Sequence, residues 1–334
     1  MSLFCIIFAE NSKRKLKKIF IYLILIIVIV ALCFVACMFG SVDIGAMTEQ
    51  DVYILHQIRI PRVLMCMVSG GCLAVCGTVY QAVFRNPLSD PYILGVSSGA
   101  SLGASLAIVL GLDALVLGVP FMAFLMALAT VFIIMKLAQV GNRMHITTLL
   151  LAGISINFLF SAIISIIMFI DREDMHKIYF WTMGSLSGVK YSDVVTVAVF
   201  SIIGIIVLRL YAKQMNALLL GDMSAQSIGI NVEKTKRNIL IISTLMTSAV
   251  VSYCGVIGFI GLVVPHIVRL LVGEDNRRII PYSIFGGIIF MLSADIVARV
   301  LAAPSELPIG TITSMIGAPF FIYLLYNAKQ KLHF

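Results

Sequence analysis

Arg59 and Arg62 flank a proline in Arg59-Ile-Pro-Arg62, and Asp295-Ile-Val-Ala-Arg299 sets a carboxylate and a third guanidinium one helical turn apart. A guanidinium is a planar fork matched to carboxylates. These arginines therefore either receive acidic residues of a partner, or anchor helix ends while Asp295 and Arg299 neutralise each other. A second set is small and uncharged. Thr147, Thr148, Ser155, Asn157, Ser161 and Ser165 share one apolar run, and Thr311, Thr313 and Ser314 another. Polar atoms in hydrocarbon need a partner or water, so these bond across helices or line a weakly polar passage. Hydroxyls without carboxylates suit a conduit for a bulky solute better than a proton or sodium relay.

Neither set is a hydrolytic constellation. The chain has no Gly-x-x-x-x-Gly-Lys-Ser/Thr loop to cradle phosphate, no His-Glu-x-x-His and no Gly-x-Ser-x-Gly. If ATP drives the protein, another subunit binds it. Cys33, Cys37, Cys66, Cys72, Cys76 and Cys254 sit in apolar runs as small hydrophobes rather than metal ligands, with no His or hard ligand nearby. His56, His145, His176 and His266 are scattered, at helix ends or among polar residues, and do not point to haem.

The elements that must position these groups are membrane spans. Hydrophobic residues make up 60% and charged residues 12% of the 334, with a mean hydropathy of +1.06, which describes a polytopic membrane protein. Runs of about 20 apolar residues are read at 19–40, 62–84, 93–112, 115–138, 147–170, 192–211, 238–257, 258–273, 279–302 and 309–327. The eighth is short and follows the seventh almost without connection around Gly255 to Gly258. Lys13 to Lys18 before the first run resembles a signal peptide, but the run is longer than such segments carry and is taken as an uncleaved span.

With the N-terminus cytoplasmic, inner segments hold 18 of the 24 Lys and Arg, the distribution expected when basic flanks resist translocation. Asp43, Glu49, Asp51, Asp171, Glu173, Asp174 and Glu306 lean to the other face. This sorting accounts for the net charge of +8 without nucleic-acid binding. It also places residues 212–237, the longest polar island, in the cytoplasm. Helical spacing broken at Gly221 and Gly229 predicts two short helices on the membrane surface, a shelf suited to docking a soluble partner. Arg85-Asn-Pro-Leu-Ser-Asp-Pro-Tyr92 reads as a rigid cytoplasmic turn. Gly95, Gly99 and Gly103, at four-residue spacing, let helices approach closely.

Arg-Ile-Pro-Arg-Val-Leu at 59–64, the run at 85–100, Leu-Leu-Ala-Gly-Ile at 150–154, Phe-Trp-Thr-Met-Gly-Ser-Leu at 180–186, Gly-Phe-Ile-Gly-Leu-Val-Val-Pro-His-Ile-Val-Arg at 258–269, and Glu-Leu-Pro-Ile-Gly with Ile-Gly-Ala-Pro-Phe-Phe within 306–321 together resemble the permease family of iron-siderophore, haem and vitamin B12 ABC importers. The resemblance covers essentially the whole chain. It implies an all-α type II ABC importer permease of ten transmembrane helices, one transmembrane domain over residues 1–334, in the bacterial cytoplasmic membrane with both termini inside. Implied partners are a second permease subunit, identical or a paralogue, a pair of ATP-binding subunits below, and an extracytoplasmic solute-binding protein above. ATP and Mg belong to the ATPase, and this chain binds no cofactor or metal.

Residue by residue, the resemblance assigns ATPase coupling to the stretch Asn216 to Val232, with Asn216, Leu220, Gly221, Asp222, Ala225, Ser227 and Gly229 following the family pattern. It assigns docking of the binding protein to Arg59, Arg62 and Arg299. A cytoplasmic gate falls on Ile146, Thr147 and Thr148, and the translocation path on Ser155, Asn157, Thr311 and Thr313. The implied activity is transport, not catalysis, of a metal chelate: a ferric siderophore first, haem or cobalamin as the alternative. A different class, an ion-coupled secondary transporter with inverted repeats, needs an intramembrane carboxylate. Asp295 beside Arg299 is a poor one.

Overall fold

The computed structural model describes the backbone of residues 2–40, 48–141 and 143–332 and, within these, the side chains from 19 onward except 140, 143, 324, 325 and 327–332. Asp43 lies outside the described residues, as do the side chains of the basic run 13–18 and of Arg143. Among the described residues the regular structure is helical apart from a two-residue antiparallel ladder pairing Gln139 with Met144 and Val140 with Arg143.

The long helices are α1 (Ser2–Met38), α2 (Glu49–Ile54) running through a π turn into α3 (Ile60–Phe84), α4 (Val96–Val109), α5 (Gly118–Leu137) and α6 (Ile146–Ile170). After the short α7 (Met175–Thr182) come α8 (Tyr191–Leu210), α9 (Ala212–Leu219), α10 (Asp222–Ser227), α11 (Val232–Cys254), α12 (Ile260–Val272), α13 (Asn276–Val300) and α14 (Ile309–Leu332). Among the described residues seven helices are long and apolar enough to cross a membrane, and Val96–Val109, Ile260–Val272 and Ile309–Tyr323 are shorter apolar helices. These ten occupy the ten predicted positions.

Boundaries differ where local chemistry intervenes. The second span starts at Glu49 rather than 62, because Thr48 caps the helix by accepting from the Asp51 amide and the wide π turn Leu55–Arg59 accommodates Pro61. A proline lacks the N–H and crowds the carbonyl four residues back, and a π bulge relieves both. The third span shrinks to 14 residues since Gly95, at φ 72, breaks the chain before Val96. The eighth is 13 residues, about 20 Å long, too short to cross. It begins deep in the bundle, where a Cβ on Gly261 would lie 3.0 Å from the Leu73 carbonyl oxygen.

The backbone between Cys254 and Ile260 is therefore unwound inside the protein, and neighbours satisfy its polar groups. The Tyr92 hydroxyl donates to the Ile257 carbonyl at 3.0 Å, and the Ser185 amide donates to the Cys254 carbonyl at 2.9 Å. Irregular backbone at membrane depth is tolerated only when buried and paired in this way.

Buried α3 is the axis, packed by α13, α12, α11 and α8. Its glycines allow the approach: a Cβ on Gly70 would fall 2.4 Å from the Gly287 carbonyl oxygen of α13, and one on Gly77 would overlap the Gly261 carbonyl. The spaced Gly99 and Gly103 do the same for α4 against α5, meeting Thr130 and Met122. Several buried hydroxyls bond back within their own helices, as in Ser69 to Met65 O, Ser243 to Ile239 O and Thr247 to Ser243 O, the usual remedy for Ser and Thr in apolar helices. Helix α1 docks on α13 through stacked Tyr22 and Tyr282 rings, 4.9 Å apart.

Candidate functional site

The shelf forms where the sequence breaks. Gly221, at φ 108, separates α9 from α10, and Gly229, at φ 84, closes α10. Both are conformations that L side chains resist. Asn231 then caps α11 by accepting from the Lys234 amide at 3.0 Å. Two short helices are present as predicted, while residues 232–237 belong to the start of α11 rather than to the island.

Two polar side chains of the shelf, Asn216 and Asp222, staple it to other segments. Asn216 Nδ2 donates to Asp275 Oδ1 at 2.7 Å, and Asn216 Oδ1 accepts from the Asn276 amide at 2.8 Å and from its side chain at 2.9 Å. The connection before α13 is thereby fastened to α9. Arg277, and after it Asn216, hold the Asp275 carboxyl below the usual carboxylate range, while partial burial pulls the other way. Asp222 Oδ2 accepts from Lys236 Nζ at 2.7 Å, with the Lys236 side chain 2% exposed, and its other oxygen lies 3.5 Å from Arg85 Nη2. Asp222 thus joins α10, α11 and the turn after α3.

Among the expected coupling residues Ala225 is buried and Ser227 returns its hydroxyl to the Ser224 carbonyl at 2.8 Å. The outward face mixes exposed Lys213, Ser224, Gln226 and Ser227 with large apolar side chains: Leu220 is 73% exposed, Met223 86% and Ile228 64%. Only Leu220 of these three was among the sequence candidates. Met223 and Ile228 could have been found as apolar residues in a polar segment that lacks room for its own core.

The three arginines are not presented to solvent. Arg59, Arg62 and Arg299 are 4%, 5% and 2% exposed. Arg62 Nε donates to Asp295 Oδ1 at 2.8 Å and Nη1 to Glu306 Oε2 at 2.6 Å. Arg299 Nη2 lies 2.9 Å from Asp295 Oδ2, and Nη1 donates to the carbonyls of Ala36 and Phe39. Arg59 Nη1 donates to the carbonyls of Cys37 and Met38 at 2.8 and 2.7 Å. The last carbonyls of a helix have no intrahelical donors, and two arginines supply them for α1. In the single chain the three guanidinium groups clamp helix ends, and Asp295 neutralises two of them.

The proposed path residues divide. Thr147 and Ser155 on α6 and Thr311 on α14 are exposed, while Ile146 and Thr148 are half-buried. Asn157 instead turns into the protein, its Oδ1 2.5 Å from Ser98 Oγ on α4, and buried Thr313 donates to the Gly310 carbonyl at 3.0 Å. Around the exposed hydroxyls stand apolar side chains with no cover in a single chain, Leu151, Phe158 and Phe169 on α6 and Met315, Ile322 and Tyr323 on α14.

Known proteins are similar to this chain in sequence and in fold. The chain is 42% identical over 283 residues to the cobalamin import system permease protein BtuC of Halobacterium salinarum, covering 85% of this chain and 76% of the relative. It is 38% identical over 338 residues to the hemin transport system permease protein HmuU of Yersinia pestis, covering 96% and 99%. A solved inward-facing conformation of a metal-chelate type ABC transporter superposes with a TM-score of 0.84 at 29% identity, over 92% of this chain and 99% of that one. The FecCD transport family matches residues 12–327. A helical membrane protein with a central glycine-lined span, unwound backbone before α12 and a stapled polar shelf, this chain belongs to the FecCD transport family, as a transport permease and not an enzyme.

Proposed function

We propose that this chain is the membrane half of an ATP-driven importer that carries an intact metal chelate into the cytoplasm. The observation that carries the reading is the shelf: α9 and α10 are fastened by Asn216 and Asp222 to three other segments, yet turn Leu220, Met223 and Ile228 outward. An apolar patch on a rigid mount fits a soluble partner that pushes on it. ATPase subunits, holding ATP and Mg, dock there on the cytoplasmic side; their closure displaces the shelf, and α3, α11 and α13 move with it as one packed body between outward and inward access.

Two copies, or this chain and a paralogue, pair through the uncovered faces of α6 and α14, which brings Thr147, Ser155 and Thr311 to a shared passage. A solute-binding protein delivers cargo from the other side of the membrane. A secondary transporter fits less well, because Asp295 is already occupied by Arg62 and Arg299 and is not available to carry protons.

The cargo is a metal chelate, with a ferric siderophore as the specific reading and with haem or cobalamin, the cargoes named for two relatives, as the second. Titration of the cognate binding protein with a ferric siderophore, hemin and cobalamin, followed by uptake into ATP-loaded proteoliposomes, decides between them. Uptake that ignores ATP and follows a proton gradient would remove the reading altogether.

A further inference from the structure

A groove of about 560 Å3 opens beside the shelf between α5 and α11. Away from the shelf it is mostly apolar, lined by Leu128, Val131, Ile241 and Leu245 with Thr244 among them, while its end near the shelf carries Lys136, Lys234 and Arg237. Arg237 and Leu245 are eight residues apart on one helix, about 12 Å along its axis. The groove thus runs parallel to the spans, cationic at one end and hydrocarbon-like below. Phe132 and Ile241, 60% and 43% exposed, form its outer lip, and Leu125 and Ile133 continue the same bare apolar flank. Such a flank faces lipid.

The cations there are uncommitted. Among the described side chains no carboxylate lies within ion-pair distance of Lys136, Lys234 or Arg237; Lys136 sits 4.9 Å from the Phe132 ring centroid. Glu233, the acidic residue in the lining, is tied to the hairpin, its Oε2 accepting from the Met144 amide at 2.9 Å. The basic hollow around Arg209, Arg277 and Arg278 differs, because Asp275 already holds Arg277.

We propose that this groove binds one anionic phospholipid of the leaflet on the shelf side, its phosphate held by Lys136, Lys234 and Arg237 and an acyl chain lying along Leu128, Val131, Ile241 and Leu245. Basic pockets between spans on the cytoplasmic side recognise such head groups, and the volume falls in the range of small-molecule sites. Lys234 and Arg237 start the helix whose Lys236 grips Asp222. The lipid therefore stiffens the root of α10, and its regulatory effect rests on the shelf reading; its binding does not.

Native mass spectrometry on the delipidated full-length chain tests it, offering phosphatidylglycerol against phosphatidylcholine with the same acyl chains. Preferential retention of phosphatidylglycerol is expected. It should weaken by about fivefold per cation removed through Lys136→Glu, Lys234→Glu and Arg237→Glu, and survive Lys136→Arg with Lys234→Arg. Ile241→Trp, which fills the apolar end without touching charge, should lower retention too and serves if the charge reversals do not fold. Equal retention of the two lipids, or an unchanged preference in the Glu variants, overturns the proposal. So does displacement by inorganic phosphate alone, which marks a free-anion site, or loss of ATPase co-purification with lipid retention intact, which gives the groove to the ATPase. None of these outcomes depends on transport.

Discussion

Arg62 and Asp295, 233 positions apart in sequence, share a hydrogen bond of 2.8 Å where the start of α3 meets the end of α13. Asp295 is fully buried, and Arg299 flanks it on the other side. Removing one member of a buried charge set strands the others. Asp295→Ala should therefore lower unfolding free energy by about 3–5 kcal/mol. Glu306→Ala, which removes a partner 28% exposed, should cost roughly 1 kcal/mol or less. Thermal unfolding in detergent separates the two, and equal losses would contradict a buried clamp.

Asp222→Ala leaves the Lys236 ammonium buried without its carboxylate. The shelf should loosen at its root, with faster amide exchange over residues 222–231 and uptake falling further than ATP hydrolysis. Lys236→Met removes both charge and need, so it should exchange more slowly than Asp222→Ala. Matching protection in both variants would show that the ion pair does not hold α10.

Gly77→Val places a branched side chain where its Cβ already overlaps the Gly261 carbonyl, and α3 would have to leave α12. Loss of folded protein is the expected outcome on size exclusion. Gly111→Ala meets no atom within 4 Å and pays only for its φ of 69, about 1–2 kcal/mol. Accumulation of Gly77→Val at the level of Gly111→Ala would refute the packing assignment.

Asp275 gives a pH signature. Its folded pKa is depressed, so its stabilising effect is complete above the unfolded value of about 4 and is lost as pH falls through the lower folded value. The difference in unfolding midpoint between the wild type and Asp275→Asn should stay constant from neutral pH down to about 5 and shrink below about 4. A difference that disappears near neutrality would contradict the pairing of Asp275 with Arg277 and Asn216.

Local features of this fold were legible in the sequence. Apolar runs located all ten membrane segments, and Gly221 and Gly229 divided the island because only glycine adopts those φ values without strain. Depth and pairing were not legible. The run at 258–273 looks like a short span, yet α12 begins deep inside, since the unwound backbone before it is satisfied by Tyr92 from a distant turn, a partner that periodicity does not reveal. Asp295 and Arg299 read as an i, i+4 pair, but the third member, Arg62, arrives from the other end of the chain. Polar residues drew attention to the shelf, whereas Asn216 and Asp222 hold the mount, and the large side chains it displays are the apolar Leu220, Met223 and Ile228.

On the proposed function, an ATPase grips the apolar side chains that the stapled shelf displays. Reconstituting the permease carrying Leu220→Asp and Met223→Asp with its ATPase and binding protein tests that directly, with ATP-dependent chelate uptake and ATPase retention measured on the same vesicles. Both substituted side chains are exposed, so folding should be unaffected. Loss of bound ATPase together with uptake is the expected result. Wild-type uptake with the ATPase still bound would contradict it.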